Sequence, residues 1–355
     1  MRGRVNGTAT EFQELKIDAL LVSWLPNVRY LTGFTGSNGM VLLTQDSMTL
    51  FTDPRYTIQA AEESRAKVKI AKGQLIDTAA QAIRRLRLKR IGFEKSHLSY
   101  DAWQKLKEAL PLGAGLKAVG PFIEQKRMVK TPEEIERIRK AVATNSAAFS
   151  NTVKTIRPGM TETDLAAELE YQMRRRGAEK PSFDTIVASG TRTALVHAQP
   201  TSQRFRDHEL LLIDMGATQD GYASDMTRMV FLGKPDPKIR DLYEAVLEAQ
   251  LAAIDAVREG VTGKRVDGAA RQVLKSKGLE KEFVHSTGHG LGLEIHEPPR
   301  LGKKEATRLQ AGMVVTIEPG AYIKGLGGVR IEDTVLVTKK GCEVLTPTSK
   351  ELMVL

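Results

Sequence analysis

The stretch Leu210-Leu211-Leu212-Ile213-Asp214 places a carboxylate at the end of an uninterrupted apolar run. Such a run, within Glu209–Met215, is typical of a strand that is buried on both faces. A buried carboxylate without a partner costs several kcal/mol or becomes protonated. Asp214 therefore needs an explanation from the residues that surround it.

Three further acids, Asp225, Glu318 and Glu332, stand in similar strand-like segments. One interpretation pairs each acid with an arginine, since Arg228 and Arg330 are close in sequence. For a single acid in a strand we would prefer that interpretation. Four such acids are explained more economically by one shared cation, and we therefore favour a cation site.

The histidines point to the same region of the chain. His197 lies in Leu195–Pro200, and His285, His289 and His296 lie between residues 283 and 297. Glycines flank His289 on both sides, which indicates backbone packed closely against a neighbouring group. A lone histidine is more often a surface or satisfied core residue, but this cluster favours a functional site.

The ligand chemistry of this set selects a class of metal. One imidazole and four carboxylates suit Mn²⁺, with Co²⁺, Zn²⁺ or Fe²⁺ as alternatives, better than an ion that seeks thiolates. Five side chains exceed what one hydrolytic ion takes from a protein, because a catalytic ion keeps a position open. Two ions about 3.5 Å apart, bridged by carboxylates, can share the set. The predicted cofactor is therefore a pair of divalent metal ions.

The length of the chain, 355 residues, exceeds what one hydrophobic core usually organises, so we expect two domains. From Asp18 to Val119 short apolar runs alternate with helical stretches, which predicts an α/β domain. Pro121–Lys130 has the character of a joint, and Thr131 then caps a long helix. We predict domains at 1–125 and 126–355. The second runs twice through helix, helix and strands, which indicates two similar halves.

The predicted elements follow from these patterns. In the first domain they are the strands Ala19–Trp24, Met40–Thr44, Thr49–Thr52, Val68–Ile70 and Arg90–Phe93 and the helices Pro54–Ser64, Ile76–Leu88 and Tyr100–Leu110. In the second they are the helices Pro132–Ile156, Thr161–Arg176, Pro237–Arg258 and Gly263–Ser276 and the strands Thr185–Ser189, Glu209–Met215, Thr227–Leu232, Met313–Glu318 and Val329–Thr338.

Composition excludes several classes of protein. With 41% hydrophobic and 27% charged residues the chain is globular, and no apolar run approaches the roughly 18 residues of a membrane span. The polar start, Met1–Gln13, predicts neither a signal peptide nor an anchor. Cys342 is the only cysteine, so no intrachain disulfide can form and a reducing cytoplasm fits. We predict a cytoplasmic protein with no membrane partner.

The net charge of +10 is concentrated in the first third, where the residues up to Lys130 include 21 Lys+Arg against 12 Asp+Glu. The basic cluster at Arg84–Arg90 raises the possibility of nucleic-acid binding. No aromatic residues interleave with it as a stacking surface requires, and basic residues are favoured at helix C-termini. We interpret the cluster as a solvated helix end and predict no nucleic-acid partner.

Five short motifs follow one another in the second domain: Leu211–Ala217, Ala223–Arg228, Gly288–Gly292, Ile317–Gly320 and Val329–Asp333. In this order and spacing they resemble the proline-specific pita-bread metallopeptidases, Xaa-Pro dipeptidase (prolidase) and Xaa-Pro aminopeptidase (aminopeptidase P). The first domain resembles the family's creatinase-like N-terminal domain. The resemblance implies an α/β creatinase-like domain followed by an α+β pita-bread domain. It also implies a homodimer and a peptide substrate with proline at its second position.

The resemblance implies a role for each metal ligand. Asp214 binds one ion, and Asp225 and Glu332 bridge the pair. His289 and Glu318 complete the shell of the other ion, and Glu318 is also the general base.

The resemblance assigns further residues to the substrate side. His197 and His296 bind substrate and stabilise the tetrahedral intermediate, and His285 is a further histidine on that side. Arg330 orients the carboxylates that bind metal.

Three positions depart from the family's pattern, and one of them is Ser286, which replaces a common glycine before His289. Phe183 stands where several members have tyrosine, so the hydrogen bond of that hydroxyl is absent. Arg192 stands where many members have asparagine, and its guanidinium suits the free carboxylate that a dipeptidase must recognise. We therefore favour Xaa-Pro dipeptides as substrates. The alternative is an aminopeptidase P acting on longer peptides. The Gly33–Gly39 loop supports this alternative, because it resembles the loop of aminopeptidase P as much as that of prolidase.

Three rival interpretations share part of this pattern. Methionine aminopeptidase has a similar ligand set but lacks the first domain, and creatinase-like relatives lack the ligands. In a non-catalytic scaffold that binds nucleic acid through its basic first domain, we would expect some metal-binding residues to be replaced by others. The intact set of five argues against that scaffold.

Overall fold

A computed structural model describes residues 8–355, and the chain divides after Arg127 into two compact units. The first seven residues of the polar start, for which we predict neither signal peptide nor anchor, lie outside this described range. Between residues 8 and 355 no helix is both long and apolar enough to cross a membrane.

The elements of the first unit are α1 (Thr8–Glu14), β1 (Ala19–Val22), α2 (Leu25–Thr32), β2 (Gly39–Thr44), β3 (Met48–Thr52), a 3-10 helix (Pro54–Tyr56), α3 (Thr57–Glu63), β4 (Lys67–Ile70), α4 (Leu75–Arg85), β5 (Arg90–Glu94), α5 (Tyr100–Ala109), β6 (Gly115–Val119) and α6 (Phe122–Met128). The strands form one sheet in the order β4-β3-β2-β1-β5-β6. Strand β2 is antiparallel to both of its neighbours, and the other pairs are parallel. Leu21 and Leu42 pack with Ile83 of α4 in the core. The predicted α/β class is confirmed.

Several boundaries in the first unit differ from the predicted ones. Strand β1 ends at Val22 because the backbone N–H groups of Ser23 and Trp24 donate to the Glu94 carboxylate, at 2.6 and 2.8 Å. The helix predicted from Pro54 is a 3-10 helix followed by α3. No prediction covered α2 or β6, since α2 is short and the side chains of β6 are mostly exposed. Most of the segment predicted as a joint, Pro121–Lys130, is the helix α6.

The basic cluster of the first unit closes a helix. Arg84 and Arg85 lie in the last turn of α4 and are exposed. Positive charge is favourable at this end of a helix, which agrees with our interpretation for these two residues. Arg90 instead begins β5 and pairs with Asp18 at 2.6 Å.

The elements of the second unit are α7 (Pro132–Thr152), a 3-10 helix (Val153–Thr155), α8 (Glu162–Arg175), β7 (Lys180–Pro181), β8 (Ile186–Ser189), a 3-10 helix (Gly190–Ala194), β9 (Glu209–Met215), β10 (Ala217–Gln219), β11 (Tyr222–Ala223), β12 (Met226–Leu232), α9 (Pro237–Ala256), α10 (Gly263–Ser276), β13 (Gly288–Gly290), β14 (Glu297–Leu301), β15 (Val314–Ile317), β16 (Gly320–Ile323), β17 (Gly327–Arg330), β18 (Asp333–Val337), β19 (Cys342–Val344) and β20 (Met353–Val354). The main sheets run β20-β12-β9-β8 and β14-β13-β15-β18-β19. Two smaller sheets run β11-β10-β7 and β16-β17.

Strand β9 is buried on both faces, as its composition predicts. Leu210 and Leu212 pack into a core shared with α9 and α10. Leu211 and Ile213 point the other way, into a core shared with α7 and α8. Asp214 therefore lies at the end of a strand with helices on both sides.

Helices α8 and α10 begin in the same way, which gives the two predicted halves a structural basis. Each is capped by a threonine hydroxyl and is preceded by a glycine with φ near +85°. Each threonine forms a β-bridge to an arginine, whose guanidinium donates to that glycine's carbonyl at 2.7 Å. The matched residues are Thr161 and Thr262, Gly159 and Gly260, and Arg204 and Arg308.

The prediction of one strand over Val329–Thr338 is wrong. Strand β17 ends at Arg330 and pairs with β16, whereas β18 begins at Asp333 and pairs with β15. The chain changes sheets between these two strands, and Glu332 lies in the break.

Candidate metal centre

The five predicted ligands lie on five different segments of the second unit. Asp214 is in β9, and His289 is in β13. The prediction that all four acids occupy strands is wrong for three of them, because each lies where the backbone leaves a strand. Asp225 lies between β11 and β12, Glu318 follows β15, and Glu332 separates β17 from β18.

All five side chains line one cavity of about 620 Å³. Ligand atoms of Asp225, His289 and Glu332 lie within 4.8 Å of one another. His289 Nε2 is 3.6 Å from Asp225 Oδ2 and 3.2 Å from Glu318 Oε1. These distances would allow neighbouring side chains to bind the same metal ion.

The glycines beside His289 allow the close packing that the sequence predicts. A Cβ at residue 288 would lie 1.9 Å from the Thr316 carbonyl oxygen. A Cβ at residue 290 would lie 2.3 Å from the Pro298 carbonyl oxygen. Larger residues at either position would push β13, and with it His289, away from its neighbours.

Burial shapes the electrostatics of the carboxylates. It raises the pKa of Asp214, and it raises the pKa values of Asp225 and Glu332 well above the usual range, with repulsion between neighbouring carboxylates adding to the effect. Burial also opposes ionisation of Glu318, but the hydrogen bond and charge of His289, together with the charges of His285 and Arg330, outweigh it and lower that pKa to about 2. Burial lowers the pKa of His289, but the hydrogen bond and charge of Glu318, the charge of Asp225 and the contact with the Gly290 carbonyl together raise it to about 9. A divalent cation among these groups would relieve the repulsion.

Two buried carboxylate oxygens indicate where a cation fits. Asp214 Oδ1 and Glu332 Oε1 have no hydrogen-bond partner among the described residues. The other oxygen of each carboxylate accepts a hydrogen bond. Arg330 donates to Asp214 Oδ2 at 2.6 Å, and Thr227 donates to Glu332 Oε2 at 2.8 Å. Each carboxylate is thus oriented with one oxygen left for a metal ion.

The arginine interpretation explains only part of this arrangement. Arg330 pairs with Asp214, but Arg228 pairs with Asp333, which is not one of the four acids. Within residues 8–355, neither arginine forms an ion pair with the other three carboxylates. Arginine pairing therefore does not account for the other three acids, which favours the cation interpretation.

The predicted substrate-side residues Phe183, His197, His285 and His296 line the same cavity. The ring centroid of His296 is 4.3 Å from that of His289. Burial lowers the pKa values of His285 and His296, which keeps both imidazoles neutral near pH 7. Each neutral ring has one N–H to donate.

Residues 136–339 match the family described as metallopeptidase family M24, which covers more than half of the chain. The chain belongs to this family. Residues 4–129 match the creatinase/prolidase N-terminal domain. The family resemblance and the creatinase-like and pita-bread domains inferred from the motifs are confirmed. M24 membership makes the chain a metallopeptidase and implies divalent metal ions.

Relatives and solved structures match the M24 chain over its whole length. The Xaa-Pro dipeptidase of Pyrococcus furiosus is 40% identical, over 99% of this chain and 100% of that protein. The structure of an Xaa-Pro dipeptidase from Bacillus anthracis matches with a TM-score of 0.96 at 39% identity, over 99% of each chain. The X-Pro aminopeptidase from Thermotoga maritima matches with a TM-score of 0.91 at 38% identity, over 97% of this chain and 100% of that one.

Arg192 of the M24 chain is engaged with two protein partners. Its Nε donates to Glu162 at 3.2 Å, and its Nη2 donates to the Gln199 carbonyl at 2.8 Å. It does not line the cavity that holds the ligand set. Its guanidinium is therefore engaged in holding a loop.

The structure adds three residues to the M24 site that sequence reasoning missed. Tyr322 bridges His285 Nε2 at 2.9 Å and Arg330 Nη1 at 2.7 Å, and Thr227 orients Glu332. Arg300 lines the cavity, is exposed and has no side-chain partner among the described residues. Its position four residues after His296 was the signal that could have revealed it.

Proposed function

We propose that this metallopeptidase is an exopeptidase that hydrolyses the bond between an N-terminal residue and a following proline. The observation that carries the proposal is the convergence of five metal-ligating side chains and two histidines, His197 and His296, on one cavity. The proline specificity is supported by full-length similarity to proteins named Xaa-Pro dipeptidase.

We assign two divalent ions to the site, with Mn²⁺ as the expected metal and Co²⁺, Zn²⁺ or Fe²⁺ as alternatives. Asp214, Asp225, His289, Glu318 and Glu332 would hold them. The oxygens of Asp214 and Glu332 that lack a hydrogen-bond partner among the described residues support this assignment. When bound, the ions polarise the scissile carbonyl and activate the attacking water.

The chain's own residues are assigned the remaining chemistry. Glu318, whose pKa is about 2, is ionised and acts as the general base. His197 and His296 donate hydrogen bonds to the substrate and to the developing oxyanion. Arg330 holds Asp214 in place, and Tyr322 holds Arg330.

Dipeptides are proposed as the better substrates, because Arg300 offers an unpaired guanidinium beside the cavity. A guanidinium binds both oxygens of a carboxylate, which a C-terminal proline presents and an internal proline does not. Arg192, which we predicted for this role, is engaged with Glu162 and Gln199. The alternative, an aminopeptidase P, is supported by the similarity to the Thermotoga maritima enzyme. We also propose a homodimer, which the resemblance implies, and a cytoplasmic location, which the single cysteine fits.

The test compares kcat/KM for Ala-Pro and Ala-Pro-Ala in the wild type and in Arg300→Met. A charge-assisted hydrogen bond contributes about 1.5–3 kcal/mol, so kcat/KM for Ala-Pro should fall roughly 10- to 150-fold, with little change for Ala-Pro-Ala. Lys303→Met, an exposed cation nearby that does not line the cavity, is the matched control. If Ala-Pro-Ala is cleaved as well as Ala-Pro by the wild type, the protein is an aminopeptidase P.

A further inference from the structure

A single buried carboxylate holds both ends of the segment that carries His197. Glu162, the first residue of α8, is fully buried. Its Oε1 accepts from Ser189 N at 2.9 Å, Ser189 Oγ at 3.0 Å and Arg192 Nε at 3.2 Å. Its Oε2 accepts from Thr201 N at 2.9 Å and Thr201 Oγ1 at 2.7 Å. Five donors from residues 189–201 therefore converge on one side chain.

The segment 189–201 needs such a restraint because His197 lies in its exposed part. The His197 ring is exposed and reaches the cavity from a turn without regular structure. Two weaker ties act on the far side of the turn. Thr193 Oγ1 accepts from Gly328 N at 2.8 Å, and the Val196 carbonyl accepts from Arg330 at 3.1 Å. Neither of these contacts joins the two ends of the segment, whereas the Glu162 carboxylate accepts from both Ser189 and Thr201. Gln203 adds a second link, since its Nε2 donates to Ser189 Oγ at 3.0 Å and its backbone N–H donates to Thr201 Oγ1 at 3.2 Å.

We propose that Glu162 is a positioning residue for His197, and that Arg192 acts with Glu162. This inference rests on the proposed role of His197. Both oxygens of Glu162 accept from backbone N–H groups, so an amide in place of the carboxylate would set an NH₂ against one of those donors. Arg192 supplies the balancing charge and also binds the Gln199 carbonyl, so it clamps the turn from both sides of His197.

The other half of the second unit contains a similar buried acid paired with an arginine. This repetition supports a positioning role for both acids. Asp267 of α10 is 1% exposed and accepts from Thr287 N at 3.2 Å and Thr287 Oγ1 at 2.9 Å. Arg271 balances it at 2.7 Å and donates to the Phe283 carbonyl at 3.1 Å. Asp267 thus holds the segment that leads to His289. The two acids are expected to differ in effect, one acting on the rate and the other on metal affinity.

The test is a double-mutant cycle between Glu162→Gln and His197→Ala. Because displacement of a catalytic group by about 1 Å can cost 100-fold, Glu162→Gln should lower kcat for Ala-Pro roughly 10- to 100-fold. Metal content per chain should stay at the wild-type value. In the His197→Ala background the added effect of Glu162→Gln on kcat should vanish. Additive effects, or an unchanged kcat in Glu162→Gln, would overturn the inference.

A second variant and a control separate positioning from stability. Arg192→Met, which leaves the buried acid in place, should lower kcat in the same direction but less, and it decides the matter if Glu162→Gln does not fold. Asp164→Asn removes the exposed acid that caps the same helix through Thr161 N at 3.0 Å. It should lower the melting temperature without changing kcat. If His197→Ala itself retains wild-type kcat, the proposed function fails at that residue. If His197→Ala loses rate but neither Glu162→Gln nor Arg192→Met does, only this inference fails.

Discussion

Arg228 ties the C-terminal segment to the backbone beside Glu332, and its removal should destabilise the second unit. Its guanidinium pairs with Asp333 at 2.7 Å, with side-chain exposures of 2% and 0%. It also donates to the carbonyls of Thr348 at 2.7 Å and Ser349 at 2.8 Å. Arg228→Met removes these bonds while keeping an apolar side chain of similar length.

The expected loss of stability follows from the burial of the Arg228–Asp333 pair. Removing one partner of a buried ion pair costs about 3–5 kcal/mol. Lys350 and Gln250 also contact Asp333, which places the cost near the lower end, about 3 kcal/mol. A unit of this size loses about 2–4 °C in Tm per kcal/mol, so Arg228→Met should lower Tm by about 6–12 °C.

Calorimetry on the metal-free protein measures this shift without a contribution from metal binding. Lys350→Met is the matched control, because Lys350 contacts the same carboxylate but its side chain is 24% exposed. Partly exposed pairs contribute at most about 1 kcal/mol, so the control should shift Tm by no more than about 4 °C. If Arg228→Met unfolds within about 2 °C of the wild type, the reasoning from burial is refuted.

Three further predictions concern the site and the single thiol. Asp225→Asn keeps the side-chain shape but removes charge between the ions, so metal content and kcat should fall with an unchanged circular dichroism spectrum; full metal content with normal turnover contradicts the bridging role. His197→Ala and His296→Ala should keep metal and lose rate, whereas His289→Ala should lose metal affinity, and elemental analysis beside kcat reveals whether the roles are exchanged. Burial raises the pKa of Cys342 to about 11, so its thiol is protonated at neutral pH and alkylation by iodoacetamide should accelerate only as pH approaches that value. Rapid alkylation of the folded protein near neutral pH would contradict this packing.

Local patterns in the sequence were sufficient for much of the fold. The apolar run of β9 predicted a strand buried on both faces, and its side chains do enter two cores. Thr131 and Thr161 each form a capping box, so the starts of α7 and α8 were visible from short motifs. These features depend on residues that are close in sequence.

Contacts between distant residues set the limits of prediction. The break at Glu332 exists because neighbouring strands belong to different sheets, and the β-branched and apolar residues on either side of Glu332 do not reveal that change. Arg192 and Arg300 are both plausible carboxylate-binding residues in the sequence. Only the position of Glu162, thirty residues before Arg192, distinguishes the structural arginine from the one that lines the cavity.

The central claim is that hydrolysis requires divalent metal on the five-residue ligand set. The most direct test removes metal with a chelator, confirms its absence by elemental analysis, and measures hydrolysis of Ala-Pro while Mn²⁺ is added back. We predict no hydrolysis by the metal-free protein, and recovery that saturates as the metal content approaches two ions per chain. Full activity in a dialysed sample with no detectable divalent metal would contradict the claim.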